Sequence, residues 1–179
     1  MEKNVEKPRI GIIGLGKMGS AISTRLSNHG FSLSGWNRSG LSKAKESSLN
    51  IQMEDSILAL SKSAEIIILS LSDDNAVIEV LNELCVNNLK NKLIVDTSTV
   101  RHTTLSDNYG IIKCSGADAI DAPISGWPKM IENGTAGIYI GGGDRLVQRF
   151  WSVAEVLSNR IEHVGKLGSG AAAKIVNNM

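Results

Sequence analysis

A chain of 179 residues, 42% of them hydrophobic, is long enough to bury one core as a single domain, with room for an appendage. Its net charge of +1 gives no electrostatic footprint for nucleic acid, and no apolar run reaches membrane-spanning length, so neither is an expected partner. Cys85 and Cys114 lack metal or redox spacing and read as buried thiols of a reducing compartment; residues 1–8 are polar and mixed in charge, with no signal-peptide core, so the expected setting is cytoplasmic.

Arg9-Ile10-Gly11-Ile12-Ile13 reads as a buried parallel strand. Gly14-Leu15-Gly16-Lys17-Met18-Gly19 follows at once, then a helix over 20–29 with Ile22 and Leu26 on one face and Gly30 at its end. A second strand over 31–36 closes with Asn37-Arg38-Ser39. Strand, glycine-rich turn, helix and strand within about thirty residues is the setting in which G-x-G-x-x-G holds a dinucleotide. Gly14 takes the tight turn, Gly16 admits a pyrophosphate to the backbone, and Gly19 lets the helix pack on the sheet. The free N–H groups at the helix start face the phosphates.

Helices are expected over 41–48 and 55–61, and a strand over 65–71. Asp73 or Asp74 caps the next helix, whose Val77, Ile78, Leu81 and Leu84 keep helical spacing. A strand over 92–96 leads into Thr97-Ser98-Thr99, beyond a carboxyl strand end, where open α/β sheets bind ligands. A weaker helix over 103–109, a strand over 117–121 and a strand over 136–140 come next. Asp144 is expected to cap a helix with Leu146, Val147, Phe150, Trp151, Ala154 and Leu157 on its core face. A short strand over 161–164 precedes Gly168-Ser169-Gly170 and a helix over 171–179. This alternation predicts an α/β fold with a Rossmann-type, doubly wound, mainly parallel sheet. The expected organisation is a polar tail over 1–8, a dinucleotide-binding domain over 9–165, and over 166–179 the start of an interdomain helix leading to a domain absent from this chain.

The cofactor follows from one position. NAD sites place an acid about twenty residues past the glycines, on the ribose hydroxyls. Here no acid occurs between Glu6 and Glu46, and Asn37-Arg38-Ser39 stands at the end of the second strand. A guanidinium pairs with a phosphate dianion and a serine adds a donor, which favours NADP and leaves NAD possible.

Four segments together resemble the β-hydroxyacid dehydrogenases. They are Gly14-Leu15-Gly16-Lys17-Met18-Gly19, Asp96-Thr97-Ser98-Thr99, Asp121-Ala122-Pro123-Ile124-Ser125-Gly126, and Gly168-Ser169-Gly170 through Lys174 and Asn177-Asn178. That family includes 3-hydroxyisobutyrate dehydrogenase, tartronate semialdehyde reductase, glyoxylate/succinic semialdehyde reductases and, more distantly, 6-phosphogluconate dehydrogenase. The resemblance implies an N-terminal cofactor domain, an interdomain helix and an all-helical C-terminal domain. It implies hydride transfer between nicotinamide and a small β-hydroxy acid or aldehyde acid, and a homo-oligomer for the full-length form. It also implies a catalytic acid/base at Lys174, a substrate-binding amide at Asn178, a carboxylate-holding segment at Ser125 and Gly126, a residue near the nicotinamide at Thr99, and a cofactor contact at Leu71-Ser72. Ser72 departs from the family there, which has proline.

Lys174 and Asn178 are four apart on a helix and so share a face. A lysine there can protonate a carbonyl oxygen in reduction; oxidation needs it neutral, with a lowered pKa. Trp127-Pro128-Lys129-Met130 replaces a glycine-containing stretch of the family after Ser125-Gly126, giving a bulkier, stiffer substrate loop with Trp127 beside the site. His29, His102 and His163 are scattered, and no metal site is expected. Two other readings stand beside the dehydrogenase: a non-catalytic dinucleotide-binding module and an imine reductase-like relative, against which Lys174 counts.

Overall fold

The structure, a computed structural model, describes residues 7–178. The first units are β1 (Ile10–Ile13), α1 (Lys17–Asn28), β2 (Leu33–Trp36), α2 (Lys43–Leu49), β3 (Gln52–Met53), α3 (Ile57–Ser63) and β4 (Ile66–Leu69). Then come α4 (Asp74–Cys85), β5 (Leu93–Asp96), α5 (Thr104–Asp107), α6 (Tyr109–Cys114) and β6 (Asp118–Asp121). The last are β7 (Ile124–Ser125), α7 (Pro128–Asn133), β8 (Gly137–Gly141), α8 (Asp144–Leu157), β9 (Arg160–Gly165) and α9 (Ser169–Asn177).

β1, β4 and β5 are buried at every position, as parallel strands covered on both faces must be. Ile10 and Ile12 join one core layer with Ile22 and Leu26 of α1 and Phe150 of α8. Ile13, Ile67 and Leu69 join the other, with Leu60 of α3 and Val77 and Leu81 of α4. Parallel pairing runs in the order β3-β2-β1-β4-β5-β6, so the strand order reverses at β1. In open α/β sheets that reversal opens a ligand crevice at the carboxyl strand ends. β8 then runs antiparallel to β7 and the end of β6, and β9 pairs parallel with β8. The sheet is therefore mainly parallel and doubly wound.

Several boundaries differ from the sequence reading. α1 begins at Lys17, inside the glycine motif, because Gly16 is already its N-cap. The helix expected over 103–109 is two short ones, α5 and α6, extending to Cys114. Asp73 caps α4, accepting from the Ala76 N–H at 2.9 Å. Asp144 does not cap α8: Gly143 is the N-cap and Asp144 is the first helical residue, where its charge still favours the helix dipole. Trp151 is only partly buried, while Val153 takes a core position. Cys85 is half-buried but Cys114 is exposed, contrary to the reading of both as core thiols. β3 and β7 have no sequence signal of their own, and α7 stands where a stiff loop is expected. Residues 1–6 of the expected tail and Met179 of the last helix lie outside the described residues.

Candidate functional site

The glycine turn sits at the carboxyl end of β1, beside the reversal point. Gly14 has φ of 95°, and a side chain there would strike the Ser70 carbonyl oxygen. A side chain at Gly19 would run into the Gly14 carbonyl oxygen, so α1 leans directly on the turn. At Gly16 a Cβ would meet nothing within 4 Å. That open space is capped from below by the start of α1, which has no capping side chain and no acid in its first turn. The first-turn N–H groups have no intrahelical acceptors, and the positive end of the helix dipole faces the same space. The turn from Gly14 to Gly19 could hold an anion such as a pyrophosphate in that space. The Met18 side chain packs against the core, so only its main chain faces the turn.

Leu15 holds the turn in shape. Its N–H donates to Asn37 Oδ1 at 2.9 Å, and its carbonyl accepts from Lys45 Nζ at 2.9 Å and Ser20 Oγ at 3.0 Å. Asn37 Nδ2 donates in turn to Ser39 Oγ and the Gly40 carbonyl, both at 3.0 Å. Asn37 therefore joins the glycine turn to the loop after β2, and leaves the Ser39 hydroxyl proton free to be donated. Lys45 was missed in the sequence, where it looks like any lysine on a polar helix.

A cleft of about 310 Å³ opens between the glycine turn, the end of β2 and α4. This lies at the small end of the range for small-molecule sites, roughly 300–1,000 Å³. Of the cofactor residues expected from the sequence, Gly14, Gly16, Asn37, Arg38, Ser39, Leu71 and Ser72 line it, and Glu79 joins them. Arg38 Nη1 donates to Glu79 Oε2 at 3.2 Å. The Leu71 N–H donates to Ser98 Oγ at 2.9 Å, which fixes the strand end next to the cleft. Thr99 is exposed beyond the carboxyl end of β5 and does not line the cleft. A larger cavity, about 540 Å³ between His102, Tyr109, Leu146, Leu167 and Ala172, contains none of these residues.

Two carboxylates stand side by side at the carboxyl edge of the sheet, where Asp96 of β5 is in register with Asp121 of β6. Asp121 accepts from the N–H groups of Gly168 and Ala171, each at 2.7 Å, and so caps α9 from a strand. Burial pushes its carboxyl above the usual range, while those N–H groups pull the other way. Asp96 Oδ1 accepts from the Ser98 N–H at 2.9 Å, and its buried Oδ2 has no partner among the described residues. Burial pushes the Asp96 carboxyl up to about 6, against the pull of Ser98 and with a contribution from the Asp121 charge.

α9, so anchored, carries Lys174. This residue is buried, at 8% exposure, and burial lowers its pKa from 10.5. The asparagine that meets the Ser125 loop is Asn177, whose Nδ2 donates to Ser125 Oγ at 3.0 Å. Asn178, the substrate-binding amide that the resemblance implies, forms the C-cap of α9 and is exposed. Gly126 has φ of 147°, and Met130 Sδ lies 3.1 Å from where its Cβ would be. The stretch after it is a helix: Trp127 is the N-cap, Pro128 opens α7, and Ile131 is buried in the core. The stiffness expected there is helical order, and Trp127 stands 77% exposed beside Ser125 and Gly126. Among the described residues, no group of three His, Cys, Asp or Glu side chains is placed to hold a metal, and no helix is long and apolar enough to cross a membrane.

Known proteins resemble this chain in sequence and in fold. The chain is 30% identical to the 2-(hydroxymethyl)glutarate dehydrogenase of Eubacterium barkeri, a match covering 100% of the chain and 60% of that protein. It is 32% identical to glyoxylate/succinic semialdehyde reductase 1 of Arabidopsis thaliana, covering 95% of the chain and 60% of the relative. Its fold superposes on the 3-hydroxyisobutyrate dehydrogenase of Mycobacterium tuberculosis, solved with L-serine, with a TM-score of 0.91 and 25% identity, over 97% of this chain and 60% of that one. The chain thus spans about 60% of the length of the relatives it matches. The family described as the NAD binding domain of 6-phosphogluconate dehydrogenase matches residues 9–165, and the chain belongs to it.

Proposed function

We propose that the chain is the cofactor-binding portion of an NADP-dependent oxidoreductase acting on a small β-hydroxy acid or aldehyde acid. The observation that carries this reading is the placement of buried Lys174 on a helix tied to Asp121 at the carboxyl edge and to Ser125 through Asn177. The glycine cradle and the Arg38 cleft open at the same edge of the sheet. When bound, the nicotinamide cofactor supplies or removes a hydride.

The chain's own residues do the rest. Gly14, Gly16, Lys17 and Gly19 would hold the pyrophosphate, and Arg38 with Ser39 would hold a ribose 2′-phosphate. Ser125 and Gly126 bind the substrate carboxylate, with Asn177 and Asn178 beside them. Lys174 protonates the carbonyl oxygen in reduction and takes the proton back in oxidation; its burial lowers the cost of the neutral form that oxidation requires. A buried lysine at this position supports a dehydrogenase over an imine reductase-like enzyme.

α9 then opens toward a second, helical domain, and exposed Trp127, Ile175 and Val176 are apolar surface for that domain to cover. The reading extends to a cytoplasmic setting and to a homo-oligomer for the longer form. The test is single-turnover hydride transfer from NADPH to a panel of small aldehyde acids, in a longer form that carries the helical domain. Lys174→Ala should slow it by roughly 10²–10⁴-fold with cofactor affinity unchanged, and Lys174→Arg should rescue little. Transfer as fast in Lys174→Ala as in the parent would sink the assignment.

A further inference from the structure

Arg38 is already engaged. Its partner Glu79 comes from the opposite wall of the cleft, the middle of α4, and both side chains line the cleft with Ser39 and Ser72. Glu83, one turn further along α4, lines the same wall. One carboxylate thus already holds the guanidinium that the NADP reading assigns to a phosphate, and a second lines the same cleft. The other acids of that helix start are occupied elsewhere: Asp73 caps α4 and accepts from Ser72 at 2.7 Å, while Asp74 accepts from Arg101 and Thr104.

We propose that Glu79 sets how strongly this cleft distinguishes a 2′-phosphorylated dinucleotide from an unphosphorylated one. The proposal rests on the reading of the cleft as the cofactor site. Both side chains are largely exposed, so the pair itself is weak and a phosphate dianion can displace the carboxylate from Arg38. The displaced carboxylate stays tethered to α4 beside the bound phosphate, where like charges repel. A ribose 2′-hydroxyl makes no such demand. It can donate to Glu79, much as it donates in NAD sites to an acid at the end of the second strand. Glu79 therefore holds NADPH affinity below what Asn37-Arg38-Ser39 alone would give, and leaves NADH affinity intact or improved.

The experiment is a charge series at one exposed position: the unaltered chain, Glu79→Gln and Glu79→Lys. Each is titrated by calorimetry with NADPH and NADH, and with 2′,5′-ADP and 5′-AMP as their adenosine halves. NADPH and 2′,5′-ADP should bind roughly 3–10-fold more tightly in Glu79→Gln and more tightly again in Glu79→Lys. NADH and 5′-AMP should be unchanged or weaker, and the gain should shrink as salt is raised. An NADPH-to-NADH affinity ratio that is the same in all three overturns the proposal. So does an equal loss of both cofactors in Glu79→Gln, which would make Glu79 a contact of the adenine. An unaltered chain that prefers NADH defeats the NADP reading while the series still decides the role of Glu79. A preference for NADPH that ignores residue 79 defeats only the proposal, and no binding in any of the three defeats both.

Discussion

Asp121, the last residue of β6, accepts the N–H of Ala171 in the first turn of α9 at 2.7 Å, fifty positions further along the chain. With its second oxygen on the Gly168 N–H, this one carboxylate joins the edge of the sheet to the helix that carries Lys174. Hydrogen bonds to a charged acceptor contribute about 1.5–3 kcal/mol each, and losing the acceptor leaves buried donors unpaired. Asp121→Ala should therefore lower unfolding stability by about 3 kcal/mol, with the amides of residues 168–171 exchanging faster. Asp121→Asn, which keeps one acceptor oxygen, should cost less. Denaturant titration with hydrogen exchange checks both; protection of α9 unchanged in Asp121→Ala would show that the helix is held by packing alone.

Asp96 should leave a signature in the pH dependence of stability. Its carboxyl titrates near 6 when folded and at 3.8 in its ordinary state, so the folded protein binds this proton more tightly than the unfolded one. The stability it contributes is fully present below 3.8 and is lost as pH rises through about 6. Within that window the slope approaches a decrease of about 1.4 kcal/mol per pH unit from this group. Asp73 and Asp74, lowered mainly by hydrogen bonds to Ser72 and Thr104, and Asp118, where burial is outweighed by Lys113 and Tyr109 together, act in the opposite sense, losing their contributions as pH falls. The measurement is therefore a difference. Unfolding curves of the unaltered chain and Asp96→Asn from pH 4 to 7 should diverge in slope, and parallel curves would assign Asp96 no folded-state shift.

The glycines should separate binding from folding. Gly16→Ala adds a methyl to open space, so stability should change by no more than about 1 kcal/mol while dinucleotide affinity falls at least roughly tenfold. Gly19→Ala forces the helix off the Gly14 carbonyl and should cost about 2 kcal/mol or more of stability as well. Calorimetric titration and thermal unfolding of both variants check the contrast. Normal cofactor binding by Gly16→Ala would move the pyrophosphate site away from this turn.

Arg38 should carry the preference for the phosphorylated cofactor. Arg38→Asp replaces a phosphate partner with a like charge and should weaken NADPH roughly 10–100-fold, sparing or improving NADH. Fluorescence quenching with each cofactor checks this, and equal affinities for the two in the unaltered chain refute it.

What the sequence by itself determined is local. The strand, Gly14 to Gly19 and the helix after it form one short stretch, and their spacing is enough to specify a turn, an exposed helix start and a buried parallel strand. The absence of an acid and the presence of Arg38 at the end of β2 were equally legible, because the position is counted from the glycines. Pro128 misled: read as a loop stiffener, it sits where its fixed φ and missing N–H suit the first turn of α7. Helical spacing puts Asn178 on the face of Lys174, and the structure adds Asn177, whose side chain reaches Ser125. Spacing fixes which residues share a face, and not which loop that face meets. The contacts that shape the site join residues far apart in sequence: Lys45 to Leu15, Glu79 to Arg38, Asp121 to Gly168, Asn177 to Ser125. Each depends on which strands become neighbours and where a helix lands on the sheet. Only the closing of the whole chain around two apolar layers decides that.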